Sequence, residues 1–157
     1  MSSKLVVLVL VASIAVSADV IKPRAGKVSP AVERVRAAYK SLAAGDVKAA
    51  EQQCRASLKL DSGLGAAHVG LAQIELKNNR PKQAELHLQR ALSSDPANSS
   101  FQRSWAAFLT MQNRLGEAEA AYRRAVELDA KSSPAWKDLG DFLLMHRSDA
   151  PSAIRAF

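Results

Sequence analysis

The stretch SSFQRSWAAFLTMQNRLGEAEAAYRRAVELDAKS, residues 99–132, decides the fold. Phe101, Trp105 and Phe108 fall at i, i+4 and i+7, which is one face of a helix. Beyond Asn113, the residues Ala118, Tyr122, Ala125 and Val126 form a second apolar stripe. The stretch therefore reads as helix, turn, helix. Moving outward from it in steps of 34 residues, the same pattern returns. Gly45, Asn79, Asn113 and Arg147 share the turn position. Ala50, Ala84 and Ala118 share another, as do Leu58, Leu92 and Val126, and Asp61, Asp95 and Asp129. Ala38, Ala72, Ala106 and Gly140 recur where two helices must approach closely, because a larger side chain would force them apart. A fixed period of this size marks a stacked helical solenoid, in which each unit buries its apolar face against the next.

The units are 31–64, 65–98, 99–132 and a partial fourth, 133–157. The punctuation agrees with this division. Asp95-Pro96 closes the second unit, Pro81 suits the first turn of a second helix, and Ser133-Pro134 reads as an N-cap followed by proline at the first helical position. Asn98-Ser99-Ser100 matches a glycosylation sequon, but at an inter-repeat turn it reads first as a helix cap.

Trp136, Leu139 and Gly140, with Leu71-Ala72, Trp105-Ala106, the alanines Ala50, Ala84 and Ala118, Ala91 and Ala125, and the closing Leu128-Asp129, make the chain resemble the tetratricopeptide repeat family. The resemblance spans residues 31–157. It implies an all-α fold, a right-handed superhelical solenoid of antiparallel helix pairs with about three and a half repeats. It also implies a non-enzymatic scaffold that binds another polypeptide. There are departures: Ser57 stands where alanine is usual, the first unit lacks a large aromatic in its first helix, and the fourth carries an extra residue near Pro151. A C-terminal-carboxylate clamp known in some family members is missing, since the corresponding slots hold Val35, Tyr39, Gly70, Ser100 and Ser104.

The N-terminus has a different composition. Met1–Lys4 is a short basic start, Leu5–Val16 is apolar apart from Ser13, and Val16-Ser17-Ala18 supplies small residues before Asp19. This is the pattern of a secretory signal peptide over 1–18, followed by a basic linker over 19–30 containing Lys22, Arg24 and Lys27. The expected location is therefore outside the cytoplasm, in the periplasm, with a membrane anchor formed by an uncleaved N-terminus as the alternative. The formal net charge is +7, and losing Lys4 with the leader lowers it by one. That sign favours acidic partners or an anionic envelope surface.

Little in the chain points to chemistry. Cys54, the sole cysteine, falls on the apolar stripe shared with Leu88 and Tyr122 and reads as core. His68 takes a large-residue core slot, His146 sits near a helix C-terminus, and no two of His68, His87 and His146 share metal-ligand spacing on one helix. No phosphate loop, nucleophile elbow or paired-carboxylate motif is present, so no catalytic residue, metal or cofactor is expected. The candidate working surface is geometric, because first helices line the concave face of such an array. Its inward positions are Tyr39, Gln73, Lys77, Arg103, Thr110, Lys137 and Asp141, a groove for a protein or peptide partner in which Lys77, Arg103 and Lys137 would meet carboxylates. Assembly of secretion, pilus or polysaccharide-export machinery is the role that the resemblance suggests. Two alternatives are a repeat arm of a larger enzyme and an RNA-binding helical repeat. The leader and the placement of aromatics on core stripes speak against nucleic acid. The final Ile154 and Phe157 would lie on an open helix partway through the fourth repeat, which points to a longer protein or to self-association through that end.

Overall fold

The computed structural model describes residues 28–146. The expected leader, the expected linker up to Lys27 and the expected second helix of the fourth repeat lie outside the described residues, as do Arg147, Ile154 and Phe157. Among the described residues there are seven helices: α1 (Pro30–Ala43), α2 (Val47–Leu60), α3 (Gly65–Lys77), α4 (Pro81–Ser94), α5 (Ser99–Met111), α6 (Leu115–Leu128) and α7 (Ser133–His146). They alternate as first and second helices of successive pairs: α1 packs on α2, α3 on α4, and α5 on α6.

Five of the seven helices start where a side chain or a proline makes a start favourable, whereas α3 and α6 begin without either. Ser29 accepts from Val32 N with Pro30 at the first helical position, Asp46 Oδ1 accepts from Ala49 N at 2.9 Å, and Pro81 opens α4. Asn98 Oδ1 accepts from the amides of Ser100 and Phe101, so this asparagine works as the cap of α5. At α7 the cap lies one residue earlier than the sequence reading placed it. Ser132 Oγ accepts from Ala135 N, and Ser133 is itself helical. The hydroxyl must precede the first turn to reach its third amide, and Ser132 is the serine that does so.

The first helix of every complete pair ends in one way. Gly45, Asn79 and Asn113 have φ of 83°, 58° and 58°, the left-handed region. The next residue's amide then reaches back five positions: Asp46 to Ser41, Arg80 to Glu75 and Arg114 to Leu109, at 2.9, 2.8 and 2.9 Å. This closure satisfies carbonyls left over at the helix end and reverses the chain within three residues.

The small residues seat these pairs. Ala38, Ala72 and Ala106 on first helices, and Ala50, Ala84 and Ala118 on second helices, are all 1% exposed or less. Serine hydroxyls fasten two of the pairs across this interface, with opposite polarity. In the first pair Ser57 on α2 donates to the Ala31 carbonyl on α1 at 2.8 Å. In the third, Ser99 on α5 donates to the Ala125 carbonyl on α6 at 2.9 Å. Residues 31 and 99, and 57 and 125, are equivalent under the repeat, so donor and acceptor have changed helices. Ser57 is thus explained: it satisfies a backbone carbonyl of its partner helix.

The described residues fall into two compact units, 28–95 and 96–146. In the first, Ala38, Leu42, Ala50, Cys54, Leu71 and Ile74 form a core with Tyr39, Val47 and Leu58 packed against it. In the second, Tyr122, Leu139, Phe142 and Leu143 dominate a larger core flanked by Trp105, Leu115 and Trp136. Burying such side chains contributes about 1.5–3 kcal/mol each relative to exposure.

Candidate functional site

The seven candidate groove residues have different surroundings. In the unit 28–95, Tyr39 is half-buried on α1, and its hydroxyl donates to the Ala66 carbonyl on α3 at 2.8 Å. Burial holds its phenol far above its usual range, and the neighbouring Cys54 adds to this. Tyr39 therefore bolts two first helices together. Gln73 is buried on α3, whereas Lys77, the last residue of that helix, is exposed.

In the unit 96–146 four candidates meet polar partners. Arg103 Nε on α5 donates to Asp138 Oδ2 on α7 at 2.7 Å, and each side chain is only 15% exposed. Burial raises the Asp138 carboxyl above its ordinary range, while Arg103 opposes that rise. Thr110 Oγ1 donates to the Ala106 carbonyl one turn back at 2.9 Å. Thr110 also hydrogen-bonds the Tyr122 phenol, which burial pushes up to about 12. Lys137 pairs with Asp141 one turn along α7, and that bond raises the lysine. The result is a band of opposite charges on α5 and α7, not a free cationic surface. An incoming peptide carboxylate would compete with Asp138 or Asp141 for Arg103 or Lys137. Such exchange is chemistry of recognition, since charge-assisted bonds are strong and directional.

One constellation escaped the sequence reading. His68 on α3 and His87 on α4 face each other with their Nδ1 atoms 3.1 Å apart and ring centroids 5.4 Å apart. The 19 residues between them match no motif, because the contact exists only once the two helices pair. A facing position on consecutive helices was the available signal. Among the described residues, no group of three or more His, Cys, Asp or Glu is arranged to hold a metal ion. Cys54 is fully buried and its thiol is pushed up to about 12, mainly by burial and then by Glu51, so it is held as an unreactive thiol. Among the described residues, no helix is long and apolar enough to cross a membrane.

Comparison with known proteins gives consistent results. Two family models described as tetratricopeptide repeat match residues 41–107 and 111–157. A repeat-containing protein of Dictyostelium discoideum is 28% identical over 112 residues, 67% of this chain and 43% of that protein. The type IV pilus assembly protein PilF of Pseudomonas aeruginosa is 31% identical over 83 residues, 53% of this chain and 32% of that protein. The chain thus spans less than half of either relative. The solved structure of P. aeruginosa PilF superposes with a TM-score of 0.70 at 24% identity, covering 80% of this chain and 60% of that one. The first such domain of Spaghetti (RPAP3), solved bound to an HSP90 peptide, gives a TM-score of 0.65 at 16% identity, covering 73% of this chain and 94% of that one. At these identities the structural likenesses carry the fold.

Proposed function

Because the chain belongs to the tetratricopeptide repeat family, whose fold is a protein-interaction scaffold, we propose that it is a non-enzymatic scaffold of the cell envelope that holds a partner polypeptide against its first helices. The observation that carries this reading is the band Arg103, Asp138, Lys137 and Asp141 on α5 and α7. It offers ion pairs that a partner's own charges can replace, on the helices that bind peptides in this architecture. Thr110 hydrogen-bonds the α5 backbone beside this band, and in the other unit Tyr39 ties α1 to α3, where Lys77 is an exposed cation. The net charge of +7 favours an acidic segment as the partner. The leader-like residues 1–18 and the likeness to a pilus assembly protein support an exported scaffold serving an envelope assembly such as a pilus or secretion machine.

Two measurements test this reading. Fractionation followed by mass determination should find the protein outside the cytoplasm with Asp19 as its first residue; a cytoplasmic protein retaining Met1 would remove the envelope assignment. Photo-crosslinking in the native host should join one defined envelope protein to the chain. Combined Lys77→Gln, Arg103→Gln and Lys137→Gln substitution should abolish that product, and unchanged crosslinking would place the binding surface elsewhere.

A further inference from the structure

A second site lies away from the band of first-helix charges. Leu58 at the end of α2, Ser62 and Gly63 in the following turn, His68 on α3, and Arg90, Ser93 and Ser94 at the end of α4 enclose an open cleft of about 550 Å³. Arg90 is exposed, and no carboxylate is among the lining residues. We propose that this cleft binds an oxyanion, a phosphate or carboxylate group, with the Arg90 guanidinium as its principal contact.

Several independent features favour an anion there. The fork of N–H donors on Arg90 suits two oxygens at once. Helix α3 begins at Gly65, two residues beyond the lining Gly63, and no side chain caps it, so the positive end of its dipole is not quenched locally. A second cation, Arg55 on α2, lies close enough to act on His87, although it is paired with Glu51 at 2.7 Å. The nearest acid in the turn, Asp61, accepts from the Gly63 amide at 3.1 Å and is not a wall of the cleft. Ser93 and Ser94 donate to the Gln89 and Ala91 carbonyls, so the Ser62 hydroxyl is the remaining neutral donor on the wall.

The histidine pair gives the site a dependence on acidity. The distance between ring centroids exceeds that between the two Nδ1 atoms by about two ring radii, so the nitrogens meet head-on, as a hydrogen bond requires. The Ser62 backbone also hydrogen-bonds the His68 ring and favours its charged form, against the effect of burial. One Nδ1 donates and the other accepts, so the two rings share one proton. Both rings are held neutral at pH 7, first by burial. Arg90 on α4 acts against a charge on either ring, and Arg55 on α2 acts against one on His87. An anion seated on Arg90 cancels part of that field. The pair can then take a proton at an outer ring nitrogen while keeping the bond between the rings. A second proton would set two N–H groups against each other, so the pair accepts one. Proton uptake and anion binding therefore reinforce each other.

Sulfate is the suitable probe, since its charge stays constant over the range used. In amide NMR titrations of the full chain, sulfate should produce saturating shifts at Ser62, Gly63, His68 and Arg90. Binding should be about fivefold tighter at pH 5.5 than at pH 7.5. Arg90→Gln, an exposed position whose replacement leaves the core untouched, should abolish saturation. Shifts spread over Lys48, Lys59 and Lys82, or unchanged binding by Arg90→Gln, would overturn the site. His87→Gln should retain binding and lose its pH dependence; a persistent dependence would overturn the proton coupling. Two peptides in the same assay, one bearing phosphoserine and one a free C-terminal carboxylate, distinguish the sources by which binds tighter. Saturation by sulfate with neither peptide binding would assign the site to a free oxyanion.

Discussion

At Gly70 two effects on stability oppose each other. Alanine in a helix interior is ordinarily better than glycine by about 0.5–1 kcal/mol. Yet a Cβ at Gly70 would stand 2.8 Å from Cys54 Sγ, in a core where Cys54 is fully buried and cannot retreat. Overpacking of this kind costs about 1–3 kcal/mol, so Gly70→Ala should destabilise the protein in urea unfolding. Adding Cys54→Ala should restore most of the loss, because the obstructing sulfur is gone. A double mutant no better than Gly70→Ala alone would mean that the clash lies elsewhere. Ser57→Ala tests a different force. It would restore the family's usual residue and still cost about 1 kcal/mol, because the buried Ala31 carbonyl loses its donor.

The left-handed turn residues are the feature of the helices most legible in sequence, because only Gly and Asn tolerate that backbone cheaply, and they recur every 34 residues. Asn113→Ala should therefore cost about 1 kcal/mol in thermal or urea unfolding, while Asn113→Gly should be neutral or slightly stabilising. The close-packed alanines and the core places of Cys54 and His68 were equally readable, since apolar periodicity fixes which side of a helix is inward. Contacts between helices were not. Arg103 reads as a groove cation in sequence, but Asp138 is 35 residues away and meets it only when α5 and α7 align. The bond between His68 and His87 likewise needs α3 against α4, and it makes that pair sensitive to acid. His87 falls from its ordinary 6.5 to about 4 in the folded chain, and His68 is also lowered. Between these values the unfolded chain binds protons that the folded one refuses. Stability should be full above pH 6.5 and decline as pH falls toward 4. Urea midpoints at pH 7.5 and 5 would show it, and His87→Gln should flatten the difference.

Across the molecule, both units carry ion pairs. Within 96–146, Arg103, Arg114, Arg123, Arg124 and Lys137 each meet a carboxylate. In the unit 28–95, Arg55 and Arg80 likewise meet Glu51 and Glu75, and Lys48, Lys59 and Lys82 on α2 and α4 are exposed. Exposed pairs stabilise by only about 0–1 kcal/mol each, so these charges concern partners more than folding. Folding should instead follow the separate cores, because each buries its own cluster of apolar side chains. Ser57→Ala should accelerate native-state hydrogen exchange in α1–α4 more than in α5–α7; equal acceleration throughout would indicate one cooperative block. The serine hydroxyls that fasten α1 to α2 and α5 to α6 from opposite sides also limit modularity. A chimera joining the first helix of the first pair to the second helix of the third would contain Ala31 and Ala125 and no hydroxyl, while the reciprocal chimera would contain both Ser99 and Ser57. Equal period does not make these cassettes interchangeable in halves, so recombination of this array should succeed only when whole helix pairs are exchanged.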